Sequence, residues 1–207
     1  MRVELWSDVV CPWCAIGRRR LREALRAEGI QAEVVHRAFE LDPAHGPPRP
    51  VRQVLAERYG SRADVAQMMR RVRELGAAEG LDLRVEEALS ASTFDAHRLV
   101  LWAQGQGKAG ALLEGLEQAH FARAQDVSDP AVLLACVQAC GLDAAAARGV
   151  LGSGAFGPEV RADEAKARAL GIGGVPFFVF GGRVGVAGAQ EVAVLRQAIA
   201  SASSQTP

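Results

Sequence analysis

Apolar and polar residues alternate at the start of the chain and then change to helical spacing. Residues 2–6 alternate and predict a short strand, whereas apolar side chains recur at helical spacing over 12–28 and predict a helix. Pro12 suits the first turn of that helix, where no amide hydrogen is needed, and Gly29 marks its end. Residues 33–39 return to a strand pattern. The first part of the chain therefore predicts a strand–helix–strand unit.

The C-terminal part of the chain returns to residue patterns typical of strands. The apolar run 175–180 predicts a buried strand, and Gly181–Gly182 predicts a two-residue hairpin turn because glycine accepts a positive φ. Residues 183–186 are then expected to pair back on the strand predicted over 175–180. A helix predicted over 191–200 closes the fold. The tail is therefore a strand–strand–helix unit.

Almost only helical patterns occur between these two units, from about 51 to 170. The order β-α-β, helical block, β-β-α predicts an α/β protein with a thioredoxin-like fold and a large inserted all-helical domain. We expect the core to comprise residues 1–45 and 171–207, and the helical insertion to comprise 46–170. Its last helix, about 158–170, is a candidate to pack on the core.

Composition limits the partners that the chain is expected to bind. The chain has 207 residues, 49% of them hydrophobic, and its 24 basic residues balance its 24 acidic ones. A chain of zero net charge gives no electrostatic reason to expect nucleic acid or an anionic membrane surface as partner. The short run Arg18–Arg20 predicts a solvated helix face rather than a binding patch.

The sequence predicts a cellular location but not an oligomeric state. The N-terminus lacks the features of a secretory signal, and no apolar run is long enough to span a bilayer. These features predict a cytoplasmic protein, in which paired cysteines are more often catalytic, redox-sensing or metal-binding than structural. An apolar helix face serves either as core or as interface, so the pattern leaves the oligomeric state open.

Candidate chemistry is concentrated in Cys11-Pro12-Trp13-Cys14, at the junction of the first strand and the first helix. A thiolate is the species that attacks a disulfide, and the unpaired N–H groups of a helix N-terminus favour an anion. We therefore expect Cys11 to be the exposed nucleophile and Cys14 to be a buried resolving thiol. Trp13 is bulky and uncharged, and we take it as a candidate substrate contact.

Two other cysteines leave an alternative open. Cys136 and Cys140 are four residues apart on a predicted helix, where they fit two small buried residues or a second redox pair. A zinc site would combine them with Cys11 and Cys14, but helical spacing is unlike that of a zinc knuckle, so we expect no metal. A fortuitous cysteine spacing without function is the remaining interpretation of the motif.

Further candidate site residues lie far from the dithiol in sequence. Pro176 opens a predicted strand, and a cis bond after Val175 would expose the Val175 backbone to an extended substrate chain lying across Cys11. His97 is a candidate substrate contact or a structural histidine. Asp8 lies three residues before Cys11 and is a candidate to influence thiol ionisation, to accept protons or to cap the loop.

These motifs together resemble a known family. The resemblance is to the DsbA-like oxidoreductases of the FrnE type, and it extends from about residue 3 to residue 200. It implies a thioredoxin fold with an inserted helical domain and metal-free dithiol–disulfide exchange at Cys11 and Cys14, with Val175 and Pro176 at the substrate. The motifs that carry it are Asp8-x-x-Cys11-Pro12-Trp13-Cys14-x-Ile16-Gly17, Ala96-His97-Arg98, Asp126-x-x-Asp129, Gly173-Gly174-Val175-Pro176-Phe177-Phe178 and Gly188-Ala189-Gln190.

Relatives in the same superfamily supply the main alternative function. The 2-hydroxychromene-2-carboxylate isomerases and kappa-class glutathione transferases use glutathione, and a serine typically replaces their first motif cysteine. Since this chain has both Cys11 and Cys14, we expect a thiol–disulfide oxidoreductase acting on protein or small-molecule thiols and disulfides. No cofactor is required for that chemistry, and glutathione is a candidate redox partner. A non-catalytic binding module remains a third hypothesis.

Overall fold

A computed structural model describes residues 1–60 and 62–204, and it confirms the predicted order of strands and helices. The turn between the first strand and the first helix carries the two motif cysteines. The elements in chain order are β1 (Arg2–Ser7), α1 (Pro12–Ala27), β2 (Glu33–Ala38), β3 (Arg49–Pro50), α2 (Val51–Tyr59), α3 (Arg62–Ala78), β4 (Leu89–Ser90), α4 (Phe94–Gln104), α5 (Ala109–Glu117), a π-helical turn (Gln118–Ala122), α6 (Pro130–Ala139), α7 (Ala144–Leu151), α8 (Gly157–Ala169), β5 (Phe177–Phe180), β6 (Val184–Ala187) and α9 (Val192–Ser203).

The centre of the fold is a four-stranded mixed sheet in the order β2-β1-β5-β6. β1 pairs parallel with β2 and antiparallel with β5, and β5 pairs antiparallel with β6. Side chains alternate between the two faces of a strand, so Leu5 and Trp6 of β1 are directed to opposite layers. Both are fully buried, so both faces of the sheet are covered at this point.

Helices cover the two faces of the sheet. Leu5 belongs to a buried cluster with Leu21 of α1 and Ile199 of α9. On the opposite face Trp6 packs with Ala167 of α8, and its indole N–H donates to the carbonyl oxygen of Asp163 at 3.1 Å. The helix predicted over 158–170 thus packs on the sheet, whereas the division of the chain into core and insertion stays a prediction.

The helix α1 is defined at both ends as the sequence predicts. Pro12 occupies its first turn, and Gly29 follows its end with a φ of 64°. The expectation that Arg18–Arg20 form a solvated face is wrong, because Arg18 and Arg20 are buried. Arg18 donates to Glu117 on α5 and Arg20 donates to Glu79 after α3, so these guanidinium groups tie α1 to the helical block.

The turn after β5 differs from the expected two-residue hairpin. The register pairs Phe180 with Val184, so residues 181–183 lie between the strands and β6 begins one residue later than predicted. Gly181 and Gly182 have φ values of 57° and 71°, and the N–H of Arg183 donates to the Phe180 carbonyl at 3.1 Å. The glycines do supply the positive φ values that this turn requires.

The helical block has its own apolar centre. Side chains of α4, α5, α6 and α7 form one buried cluster, and Val9, from the loop that leads to the dithiol, joins it. The block also contains the two-residue strands β3 and β4, which pair antiparallel. Within the described ranges, none of the helices combines the length and the apolar character that a membrane crossing needs.

Candidate active site

The two motif cysteines lie at the N-terminus of α1. Cys11 immediately precedes the helix with an extended backbone (φ −94°, ψ 108°), and Pro12 takes the first helical position, where its fixed φ suits the turn. The N–H of Cys14 donates to the Cys11 carbonyl at 3.0 Å, which closes the first turn. Both thiols are free. The local sequence therefore places the two cysteines on a single helical turn.

Burial of the cysteines only partly follows the expectation. Cys14 is 1% exposed, as a resolving thiol would be, but Cys11 is also buried, at 4%. The expected exposure of Cys11 is wrong because the loop before β5 lies over it, with the Cys11 sulfur 3.7 Å from the Val175 carbonyl oxygen. Trp13 is 37% exposed and is the outward-facing side chain of the motif.

The environment of Cys14 keeps it protonated. Burial is the largest cause of a pKa well above the ordinary 9.0, and the hydrogen bond and charge of Cys11 raise it further. The negative charge of Asp8 also raises the pKa of Cys14, whereas a backbone hydrogen bond from Asp8 opposes the rise. A reaction at Cys14 therefore requires that a proton first leave a buried thiol.

The loop before β5 lies against α1. The Val175–Pro176 bond is cis, as the sequence predicts, and Pro176 is buried. A Cβ atom at Gly17 would lie 2.9 Å from Cγ of Pro176 and 3.1 Å from Cζ of Phe178, so this helical position needs a residue without a side chain. The close approach of α1 and the loop brings Val175 to Cys11.

The candidates Asp8 and His97 meet in the interior, next to the dithiol. Asp8 is 1% exposed and His97 is 2% exposed, and the Oδ1 atom of Asp8 lies 3.2 Å from Nε2 of His97. The other carboxylate oxygen accepts the N–H of Leu41 at 2.8 Å. The Asp8 carbonyl accepts the N–H of Cys11 at 3.2 Å, so the carboxylate and the dithiol share one short loop.

Two polar residues near this pair are not predicted by the sequence. His120 lies in the π-helical turn and is 1% exposed; burial, opposed by the charges of Asp8 and Asp126, lowers its pKa to about 4. Glu40 is also buried, and burial raises its pKa against the opposing effects of Arg161 and His97. A π-helical turn has no evident sequence signal, and the position of Glu40 depends on how the helical block packs.

The second pair of cysteines lies elsewhere in the helical block. The sulfur of Cys136 on α6 is 3.6 Å from the carbonyl oxygen of Gly115 on α5, and Cys140 caps the end of α6. Burial raises the pKa of both thiols. Within residues 1–60 and 62–204, no three Cys, His, Asp or Glu side chains are grouped as a metal ion would require.

Comparisons with known proteins agree with the fold. Residues 2–200 match the family model described as a DSBA-like thioredoxin domain. The crystal structure of a probable DsbA oxidoreductase from Streptomyces coelicolor is 41% identical in sequence and superimposes with a TM-score of 0.95. That match covers 100% of this chain and 92% of the other. A search of curated protein sequences finds no significant match.

More distant solved structures share the fold. A 2-hydroxychromene-2-carboxylate isomerase has a TM-score of 0.69 at 16% identity, with 99% of this chain and 97% of the isomerase covered. The cytosolic disulfide reductase DsbM from Pseudomonas aeruginosa, solved with GSH, has a TM-score of 0.62 at 20% identity, with 99% and 98% covered. At these identities the likeness concerns the fold alone.

Proposed function

The chain belongs to the family of DSBA-like thioredoxin domains, and from that premise we propose that it is a thiol–disulfide oxidoreductase in which Cys11 is the nucleophile and Cys14 the resolving thiol. The observation that carries the proposal is the dithiol in the first turn of α1, with the Cys11 sulfur 3.7 Å from the Val175 carbonyl. The positive end of the helix dipole lies at that helix end and favours an anion, and a thiolate is the reacting species.

The reaction has two exchange steps. The Cys11 thiolate attacks one sulfur of a substrate disulfide, a mixed disulfide forms, and the other substrate sulfur leaves as a thiolate. Cys14 then loses its proton and attacks the Cys11 sulfur, so that a Cys11–Cys14 disulfide forms and the second substrate thiolate leaves. The substrate gains two electrons and the dithiol loses them. Run in reverse, the same steps oxidise a substrate dithiol.

Substrate contacts belong to the same proposal. Val175 and Pro176 present the loop backbone against which an extended substrate would lie, and Trp13, at 37% exposure, is the side chain beside Cys11 that it would meet. Protein or small-molecule thiols and disulfides are the proposed partners. No cofactor is required, and glutathione is a candidate redox partner because its own thiol can perform either exchange step. The cytoplasm is the proposed location, supported by the fold shared with a cytosolic disulfide reductase.

A redox titration tests the proposal directly. The native protein is equilibrated in glutathione buffers of graded potential, and the fraction of Cys11–Cys14 disulfide is measured by thiol alkylation and mass spectrometry. We expect a reversible two-electron transition that Cys11→Ser abolishes, and its midpoint separates a reductase from an oxidase. If no such transition occurs across the cytosolic range, the oxidoreductase proposal fails.

The second candidate is a glutathione-dependent isomerase or transferase. The shared fold with the 2-hydroxychromene-2-carboxylate isomerase supports it, and the presence of both motif cysteines argues against it. In that reaction Cys11 would contact glutathione without cycling, so Cys14 would be dispensable. Full activity of Cys14→Ser towards glutathione-dependent substrates would favour the isomerase, whereas loss of disulfide exchange in Cys14→Ser favours the oxidoreductase.

A further inference from the structure

We propose that Arg20 is a positioning residue for substrate binding: its guanidinium group fixes the loop that follows β6, and that loop fixes the Val175–Pro176 backbone beside Cys11. The inference rests on the proposed function, because it concerns how a peptide substrate is presented to the Cys11 thiolate. It also gives the helical block, which binds the same guanidinium group through Glu79, an influence on the substrates that react.

Arg20 joins three elements at one buried point. It lies on α1, the helix that begins with the dithiol, and is 6% exposed. Its Nε–H donates to Oε1 of Glu79 at 2.6 Å, and its Nη1–H donates to the carbonyl oxygen of Ala189 at 2.9 Å. Nη1 also lies 2.9 Å from a carboxylate oxygen of Glu191, but that side chain is 74% exposed, so water and salt screen the ion pair. The contacts with Glu79 and Ala189 therefore contribute most.

The loop that Arg20 binds is itself bonded to the backbone next to the dithiol. The residue before Ala189 is Gly188, whose N–H donates to the Pro176 carbonyl at 2.8 Å. The residue before Pro176 is Val175, whose carbonyl oxygen lies 3.7 Å from the Cys11 sulfur. A displacement of the Ala189 carbonyl is thus passed to the backbone beside Cys11 through neighbouring residues.

The surface of α1 brings this loop and the proline close together. A Cβ atom at Gly17 would lie 2.9 Å from Cγ of Pro176 and 3.5 Å from Cα of Ala189. Gly17 and Arg20 are three residues apart and are therefore neighbours on the helix surface. The glycine allows the close approach, and the arginine supplies the hydrogen bond. Because a hydrogen bond from a charged donor is strong and directional, it defines where the loop lies.

A second buried arginine on the same helix separates this role from simple attachment of the helical block. Arg18 is 7% exposed, and both of its ion-pair partners, Glu114 and Glu117, belong to α5. Among the described residues, Arg18 has no hydrogen bond to the loop after β6. If Arg20 only attached α1 to the helical block, equivalent changes at the two arginines would have equivalent effects on substrate reactions.

Replacement by lysine removes the forked donor and keeps the charge. The Nε and Nη1 atoms of Arg20 reach Glu79 and Ala189 at the same time, whereas lysine has a single ammonium nitrogen. Arg20→Lys therefore keeps a cation for Glu79 and weakens the bond to the Ala189 carbonyl. Arg18→Lys is the matched control, since it makes the same chemical change where the partners are carboxylates of α5 alone.

Two probes with the same leaving group separate substrate positioning from thiolate reactivity. One is a symmetrical aromatic disulfide, and the other is a mixed disulfide of the same aromatic thiol with a short unstructured cysteine peptide. In a Cys14→Ser background the Cys11 thiolate forms a bond to one probe sulfur, the probe S–S bond breaks, and the coloured aromatic thiolate leaves with the electron pair. Only the peptide probe has a backbone that can lie against Val175, so the ratio of the two rate constants reports on the loop.

The expected result is a selective loss of the peptide reaction. In Arg20→Lys the rate constant for the peptide probe should fall about tenfold, and that for the aromatic probe should stay within about twofold, because only the peptide depends on the position of the loop. Amide hydrogen exchange measured by NMR should be faster at Gly188, since its bond to the Pro176 carbonyl then opens more often. Arg18→Lys should change neither the ratio nor the exchange at Gly188.

The outcomes distinguish this inference from the proposed function. If the Cys14→Ser protein releases no aromatic thiolate from either probe, the oxidoreductase proposal fails and this inference fails with it. If thiolate is released but the ratio is unchanged in Arg20→Lys, or falls as much in Arg18→Lys, only the role of Arg20 is overturned. Unchanged hydrogen exchange at Gly188 contradicts that role as well.

A variant on the other side of the contact covers the case in which Arg20→Lys does not fold. Glu79→Gln keeps an oxygen that can accept from Nε and removes the charge that helps to fix the guanidinium group. We expect the peptide reaction to slow relative to the aromatic one, by less than in Arg20→Lys. An unchanged ratio in Glu79→Gln would overturn the inference.

Discussion

The chain contains two pairs of cysteines at opposite kinds of helix end. Cys11 and Cys14 lie at the N-terminus of α1, where the positive end of the helix dipole favours an anion such as a thiolate. Cys136 and Cys140 lie at the C-terminal end of α6, where carbonyl groups and the negative end of the helix dipole disfavour one. The residue type is the same in both places, so the position on the helix decides which pair is suited to exchange.

The neighbours of the two pairs differ as well. The loop of Val175 lies against the Cys11 sulfur, and the Asp8 carbonyl accepts the N–H of Cys11. The sulfur of Cys136 instead faces the carbonyl of Gly115, and its pKa is raised by burial. We therefore expect the first pair to exchange disulfides and the second to remain reduced.

The largest expected effect is on disulfide exchange. Replacing the nucleophilic sulfur in Cys11→Ser should lower the rate at least about 100-fold, because a hydroxyl is a far weaker nucleophile than a thiolate. Cys140→Ser should react like the wild type, measured as reduction of a small aromatic disulfide under the same conditions. Equal losses of exchange rate in Cys11→Ser and Cys140→Ser would contradict the distinction between the two cysteine pairs.

A second comparison concerns two helical glycines, Gly17 on α1 with the first pair and Gly115 on α5 beside the second. In Gly17→Ala the new methyl group would lie 2.9 Å from Cγ of Pro176, so we expect a loss of about 1–3 kcal/mol in the free energy of unfolding. In Gly115→Ala the nearest atom is the Cys140 sulfur at 3.6 Å, an ordinary contact, and the better helix propensity of alanine should raise stability by up to about 1 kcal/mol. Urea denaturation of both reduced variants measures the difference. A stable Gly17→Ala protein would contradict the close packing of α1 and the loop.

The smallest expected effect is on stability at alkaline pH. The pKa of Cys14 is raised well above 9.0 in the folded state, so its stabilising contribution is complete below the ordinary thiol pKa and is lost as pH rises through the folded value. The reduced protein should therefore lose less stability above about pH 9 when Cys14 is replaced by alanine. Cys140→Ala should reduce this alkaline loss of stability less than the Cys14 replacement does, since the Cys140 thiol is less buried. The reverse order would contradict the burial assigned to Cys14.

The dithiol and the loop proline could be identified from local sequence. Cys11 and Cys14 are separated by one turn, and the strand before them and the helix after them have clear patterns, so their placement depends on few residues. Pro176 directly precedes β5, and its signal is similarly local. The cis state of its bond follows the expectation.

The contacts among the polar residues around the dithiol could not be predicted in the same way. Asp8 and His97 are 89 positions apart, and their contact depends on how α4 packs against the loop after β1. The burial of Arg18 depends on Glu117 arriving from α5, which a pattern along α1 does not contain. The exposure of Cys11 was predicted wrongly for the same reason, since the covering loop lies 164 positions away. Long-range packing of charged groups is the part that periodicity does not encode.

Trapping of the mixed disulfide tests the central claim most directly. Reduced Cys14→Ser and Cys11→Ser proteins are mixed with a substrate disulfide, and the adducts are located by peptide mass spectrometry. We expect Cys14→Ser to accumulate a stable adduct on Cys11, because the resolving thiol is missing, and Cys11→Ser to form none on Cys14. An adduct on Cys14, or on Cys136 or Cys140 in preference to Cys11, would contradict the assignment of Cys11 as the nucleophile.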